Sequence, residues 1–190
     1  TPPRLAGAHQ HDNASLAVAM MRHQEVIAVP ESALRAAPGW ANWPARLQHL
    51  EAGQLVDLAP RGSTLWLDGG HNPAAGRAVA DFLRRETKDR AQPVHIICGM
   101  IAGKDVRGFL KPLAQRADRL TAVPVEDHEM HDPADLAAVA SELGLAAETA
   151  SSVVDALRKV DANPVPPLVL ICGSLYLAGT VLAENGPLPS

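Results

Sequence analysis

The sequence predicts an α/β fold: a doubly wound, mostly parallel sheet with helices on both faces, opened by an antiparallel strand or hairpin. Two observations carry this expectation. From about residue 64 onward, short aliphatic runs alternate with helix-like segments, the pattern that strand–helix–strand units produce. The interior available is also aliphatic, because 47% of the 190 residues are hydrophobic and only 3% aromatic, with all three Trp between Trp40 and Trp66. Ala-, Val- and Leu-rich strands of this kind suit a parallel sheet covered on both faces. The length allows one full domain with room for part of a second.

The elements follow in order. Residues 11–23 set Ala14, Leu16, Ala17, Val18, Met20 and Met21 in a compact apolar helix, with Asp12 or Asn13 available as its cap. Residues 26–30 read as a connection and 31–39 as a weak helix ended by Pro38-Gly39. A boundary near Pro30 divides a helical remnant, residues 1–29, from a main domain, residues 30–190. Beyond Trp43 three short strands are expected at 46–50, 55–58 and 64–68. A helix over 73–85, a strand at 94–98, a helix over 105–116 and a strand at 119–123 come next. They are followed by a helix over 133–143, a short segment at 146–149, a helix over 151–160, a strand at 168–172 and a closing helix over 175–184. In such sheets ligands collect at the carboxyl ends of the strands, so the residues after each strand are where function is sought.

Composition narrows the function classes. With 17 basic and 21 acidic residues the net charge is −4 and the isoelectric point near 6.0, which argues against a general affinity for nucleic acid. Cys98 and Cys172 each sit in an Ile-Cys-Gly run and read as small buried hydrophobes in a reducing, cytoplasmic setting, with no CxxC to suggest zinc or redox chemistry. The uncharged stretch 162–183 is broken by Pro164, Pro166, Pro167, Gly173 and Gly179, leaving less than the ~20 residues a membrane span needs. Thr1-Pro2-Pro3-Arg4 has no signal pattern, and the chain reads as a piece cut from a longer protein.

Five constellations could carry chemistry. In Asp68-Gly69-Gly70-His71-Asn72-Pro73 an acid ends a strand, two Gly allow a turn, and Asn72 caps a helix that begins at Pro73. A helix amino terminus there favours an anion such as a phosphate or carboxylate, and Asp68 could hold a ribose hydroxyl or a metal-bound water; a purely structural joint is the competing reading. In Trp43-Pro44-Ala45-Arg46-Leu47-Gln48 a stiff corner feeds Arg46 into a strand, where it could fork onto phosphate oxygens or make a surface ion pair. Arg46 and Asp68 are both expected at strand edges, outside the core.

Gly99 to Asp105 is a glycine-bracketed loop with Lys104 at the next helix start. Three residues separate its glycines and Asp105 follows the lysine, so it is not a P-loop, and the chain lacks the lysine and hydroxyl that cleave a nucleoside triphosphate. In Gly173-Ser174-Leu175-Tyr176-Leu177 the hydroxyl of Ser174 caps a helix by default or binds a small carboxylate. Glu126 to Asp132 holds six potential metal ligands in seven positions, but without an HExxH spacing it reads as a solvated acidic loop, and no metal site is expected in this chain.

Taken together, these segments resemble the bacterial folylpolyglutamate synthase/dihydrofolate synthase enzymes of the Mur ligase superfamily. Residues 43–48 resemble that family's WPGRLQ, 68–73 its DGAHNP, 99–105 its GM-x-KD segment and 173–179 its GSxYLxG. Leu5-Ala6-Gly7-Ala8-His9-Gln10 with Asn13-Ala14 is similar to the LxGxHQxxNA at the end of its central ATPase domain. The chain departs from these patterns at Ala45, where the family has Gly, and at Gly70, where it has Ala.

The resemblance implies the carboxy-terminal domain of an ATP-dependent, Mg²⁺-using ligase that joins L-glutamate to a folate or dihydropteroate carboxylate through an acyl phosphate, alongside an ATPase domain not in this chain. Asn13 would face adenine, Arg46 the phosphates and Asp68 the ribose or phosphate end. His71, Lys104, Ser174 and Tyr176 would lie toward glutamate and the transferred phosphate, with His71 and Lys104 as the catalytic pair. A cell-wall ligase of the same superfamily and a non-catalytic nucleotide or amino-acid binding module are the alternatives. No nucleic-acid or membrane partner is implied.

Overall fold

The computed structural model describes residues 1–88, 92–161 and 164–186. Six strands form one sheet: β1 (Gln48–Leu50), β2 (Thr64–Leu67), β3 (Val94–Cys98), β4 (Arg119–Ala122), β5 (Ala146–Thr149) and β6 (Leu168–Cys172). Their order across the sheet is β1-β2-β6-β3-β4-β5. The pair β1–β2 is antiparallel and every other pair is parallel, as the fold class predicts. Central strands β3 and β6 are buried along their whole length, which is what continuous aliphatic runs such as Leu168–Cys172 demand.

Side chains alternate between two cores, one on each face. Val94, Ile96, Cys98, Leu168, Leu170 and Cys172 join one core. It is covered by α4 (Pro73–Glu86), α5 (Val106–Leu113) and α6 (Pro133–Glu142). Ile97, Val169 and Ile171 join the other, under α3 (Gln54–Leu58), α7 (Val153–Arg158) and α8 (Leu175–Asn185). Double winding is thus explicit in which residues touch which helices. Gly76 lets α4 and α5 approach closely, since a Cβ there would lie 2.4 Å from the Phe109 carbonyl oxygen.

One local expectation is corrected. Residues 55–58, read as a strand, are helix α3. Its first N–H groups are capped from far along the chain, with Asn185 Oδ1 accepting from Leu55 N at 3.1 Å and Val56 N at 3.4 Å while Asn185 Nδ2 donates to Ala52 O at 2.9 Å. Residues 55–58 are too few to show a period of their own, and a cap 130 residues away decides them. The opening pair is consequently not a tight hairpin, because α3 sits between β1 and β2. The segment at 146–149 is an edge strand, parallel to β4.

The amino-terminal helices are α1 (His9–His23) and α2 (Glu31–Trp40). α1 is not a compact packed helix: Gln10 is its buried residue, while Leu16 and Met20 are more than 60% exposed. It is tied to the rest through Ala6, which packs on the first core, and through Gly7, whose left-handed φ of 103° sets the chain against Leu47. No helix among the described residues is long and apolar enough to cross a membrane; positions 162 and 163 of the uncharged stretch lie outside those residues.

Candidate functional site

The carboxyl edge of the sheet is a row of loops hydrogen-bonded to one another. Gly173 N donates to Gly70 O at 3.1 Å and Gly99 N to Cys172 O at 3.2 Å, so the turns after β2, β6 and β3 form one continuous rim. Gly173 has φ 107°, and a Cβ there would lie 2.6 Å from Gly99 O, so this contact requires glycine.

Beside the rim stands the turn that carries Arg46. Both neighbours of Arg46 are left-handed, Ala45 at φ 56° and Leu47 at φ 45°, a conformation that costs a non-glycine residue about 1–2 kcal/mol. The φ of Ala45 explains why the resembled WPGRLQ pattern has glycine there. Three hydrogen bonds hold the strained turn: Ala45 N to Gln48 Oε1 (2.9 Å), Leu47 N to Asp68 Oδ2 (2.9 Å) and Gly69 N to Ala45 O (2.8 Å). Strain maintained by surrounding contacts is a feature of positions where a side chain must be aimed. Here the side chain is Arg46, whose guanidinium lies over Gly69.

Asp68 departs from the sequence expectation. It is not an exposed strand-edge acid but is buried, 6% exposed, with one oxygen accepting from Leu47 N and the other from Gly70 N at 2.7 Å. Burial pushes its carboxyl above the usual range, opposed by those two amides and by the Arg46 charge. Its role is to pin the Arg46 turn to the turn after β2.

These turns and α1 enclose a cleft of about 420 Å³ lined by His9, Gln10, Asn13, Arg46, Asp68, the 69–72 turn and the first turns of α4. The structure therefore brings Asn13, Arg46, Asp68 and His71 together. Helix α4 starts as its sequence predicts, with Pro73 in the first turn and Asn72 Oδ1 accepting from Ala75 N at 2.9 Å. That self-capping uses a donor an anion would want, and Pro73 has none, which leaves Arg46 as the main cationic group of the cleft. His71 Nδ1 lies 3.0 Å from Gly69 O, which orients the half-buried ring at the cleft wall.

Lys104, Ser174 and Tyr176 do not line this cleft. Lys104 and Ser174 follow the neighbouring strands β3 and β6, on the same edge of the sheet. Ser174 is buried and caps α8, its Oγ accepting from Tyr176 N at 3.1 Å and Leu177 N at 3.5 Å. Tyr176 is half exposed, with its ring centroid 3.6 Å from that of His128.

The acidic segment 126–132 is also more than a solvated loop. His131 Nε2 lies 3.0 Å from Lys104 O, His131 N donates to Met100 O, and Ala102 N donates to Glu129 O, so it braces the Lys104 loop. Among the described residues no group of three or more His, Cys, Asp or Glu is placed to hold a metal.

Two further cleft residues, His9 and Gln10, have no role in the sequence reading beyond their place in the resembled motif. The signal was available in their spacing, since positions 9 and 10 lie four and three residues before Asn13 on one helix and share its side. Burial lowers the pKa of the His9 ring, against the opposing pull of Asp68.

A family model described as the dihydrofolate synthetase C-terminal domain matches residues 51–184. The chain belongs to that family. Dihydrofolate synthetase of Saccharomyces cerevisiae is 25% identical over 192 residues, an alignment covering 94% of this chain and 44% of the yeast protein. The Mycobacterium tuberculosis folylpolyglutamate synthase, solved in complex with ADP and AMPPCP, superposes with a TM-score of 0.79 at 26% identity, covering 99% of this chain and 42% of that one. A bifunctional folylpolyglutamate synthase/dihydrofolate synthase solved with Mn, AMPPNP and L-glutamate bound superposes at 0.72 and 26% identity, covering 96% and 40%. The chain thus spans less than half the length of the curated relatives it matches. These relatives also favour the folate branch over a cell-wall ligase.

Proposed function

We propose that this chain serves as the carboxy-terminal domain of a cytoplasmic ATP-dependent ligase that joins L-glutamate to a folate or dihydropteroate carboxylate, acting together with an ATPase domain. The observation that carries the reading is the assembly of Asn13, Arg46 and His71 around one cleft in a chain of this family. In this reading residues 1–29 belong with the ATPase domain and residues 30–190 form the domain that closes on it.

When bound, ATP supplies the phosphoryl group that turns the folate carboxylate into an acyl phosphate, from which the glutamate amine displaces phosphate. Arg46 contributes a planar, permanently charged donor set for phosphate oxygens. Asp68 holds that guanidinium's turn in place, and Asn13 meets the base. His71, Lys104, Ser174 and Tyr176 sit along the edge toward the amino-acid end. Among the described residues of the cleft no side chain is placed as a covalent nucleophile, so in this reading the domain's contribution is positioning, charge stabilisation and exclusion of water from the acyl phosphate.

Among the described residues the cleft offers a Mg²⁺ ion a single carboxylate, Asp68, whose two oxygens already accept backbone amides; in this reading the ion is held mainly by the ATPase domain.

The test is ligation of labelled L-glutamate by the full-length polypeptide that contains this chain. Arg46→Ala lowers kcat/KM for ATP by about ten- to hundredfold, the equivalent of one charge-assisted contact, with an unchanged melting temperature. Equal rates in variant and wild type would remove Arg46 from the site.

A further inference from the structure

Three side chains on the first turns of α1 form a linear relay of two hydrogen bonds that leads into the cleft. Gln10 is buried, 5% exposed, and its amide nitrogen and amide oxygen each have a side-chain partner. Its Nε2 lies 3.0 Å from His9 Nε2, and its Oε1 accepts from Asn13 Nδ2 at 3.0 Å. An amide nitrogen can only donate, so His9 Nε2 accepts, which requires an imidazole unprotonated at that nitrogen. The direction of each bond then fixes the next. Gln10 must turn its oxygen toward Asn13, and Asn13 must turn its nitrogen toward Gln10. Asn13 is left with Oδ1 and its second amide hydrogen to offer.

Gln10 and Asn13 also line a second depression, of about 270 Å³, between α1 and α2, where Ala14, Ala17, Val18, Met21 and Leu34 present apolar surface. A flat heterocycle fits such a groove, with its polar edge at Asn13 and its phosphates toward Arg46. We infer that the His9–Gln10–Asn13 relay is the specificity determinant of the nucleotide site, holding the Asn13 amide in the one orientation that reads adenine and rejects a 6-oxopurine. This rests on the nucleotide reading above.

The chemistry follows from the bases. Adenine presents an amino donor beside a ring-nitrogen acceptor, the complement of an amide offering oxygen and N–H. Hypoxanthine presents a carbonyl acceptor in place of the amino group, which meets the fixed Asn13 oxygen as acceptor against acceptor. On the Watson–Crick edge hypoxanthine presents the reverse pair, O6 as acceptor and N1–H as donor, so an Asn13 free to flip would serve either base. Gln10 and His9 are therefore positioning residues, acting on the base through Asn13.

The experiment titrates the full-length polypeptide that contains this chain with ADP, IDP and inorganic pyrophosphate, in the wild type and in Gln10→Met, Gln10→Glu and Arg46→Ala, with thermal melting to confirm folding. The wild type is expected to prefer ADP over IDP by about tenfold, one hydrogen bond's discrimination at a partly exposed edge. Gln10→Met frees the Asn13 amide and brings the ratio close to one, with pyrophosphate affinity unchanged. Gln10→Glu keeps an acceptor for Asn13 Nδ2 and retains the preference. Should Gln10→Met not fold, His9→Phe replaces it, because it removes the acceptor that orients Gln10.

A wild type without base preference, a Gln10→Met that keeps it, or a Gln10→Glu that loses it overturns the relay. If ADP binding depends on Arg46 but its preference over IDP is indifferent to Gln10, only the relay fails. If neither ADP nor pyrophosphate binds the wild type, the nucleotide reading fails and the relay with it.

Discussion

Asp68 carries two backbone amides from two different turns, so its replacement is a change in the frame that holds Arg46 rather than the removal of a free acid. Asp68→Ala leaves the N–H groups of Leu47 and Gly70 buried without partners, at about 1–3 kcal/mol each. The expected outcome is a fall in melting temperature of several degrees, with Asp68→Asn falling less because it keeps one acceptor. An unchanged melting curve for Asp68→Ala would show the two amides to be satisfied without it.

His95 supplies a second test at this scale. It is buried in central strand β3, with Nε2 2.8 Å from Thr121 Oγ1, and burial lowers its pKa from 6.5 to about 4. Between those values the unfolded chain takes up a proton that the folded chain refuses. Stability is therefore full above pH 6.5 and is lost as the pH falls toward 4, at up to about 1.4 kcal/mol per unit. In melting curves from pH 4 to 7, wild type should lose stability on acidification more steeply than His95→Gln; parallel slopes would contradict it.

At the scale of elements, α3 owes its form to Asn185 at the far end of α8. Asn185→Ala removes an acceptor from Leu55 N and Val56 N and a donor to Ala52 O, and should cost about 1 kcal/mol, as loss of a helix cap does. Amide hydrogen exchange would rise at Leu55 and Val56, and unaltered protection there would show that α3 stands without the cap.

This cap also marks the limit of what was legible beforehand. Strands β3 and β6 could be read directly, since Val94–Cys98 and Leu168–Cys172 are unbroken aliphatic runs, and α4 announces itself through Asn72 and Pro73. Residues 55–58 could not, because the group deciding between strand and helix comes from position 185. The Arg46 turn was legible in content and not in shape: Ala45 and Leu47 carry no mark of a left-handed backbone until their partners Gln48 and Asp68 are seen. Likewise the separate addresses of Arg46 and Lys104 depend on the order in which the strands assemble, which no local pattern encodes.

For the molecule as a whole, function follows from where the chain places its unsatisfied groups. The two faces of the sheet carry the two cores, while α1 and the segment after it leave Leu16, Met20, Val26 and Ile27 exposed. The central claim is that the cleft between α1, the Arg46 turn and the amino end of α4 is the nucleotide site. Amide correlation spectra of the isotopically labelled chain, recorded during titration with ADP, test it most directly. The account predicts shifts at the Asn13 side-chain amide, Gly69, Gly70, His71 and Ala74, with none at Val94 or Asp118 on the opposite edge of the sheet. Shifts centred on Lys104 and Tyr176, or none at any concentration that saturates the full-length enzyme, would contradict it.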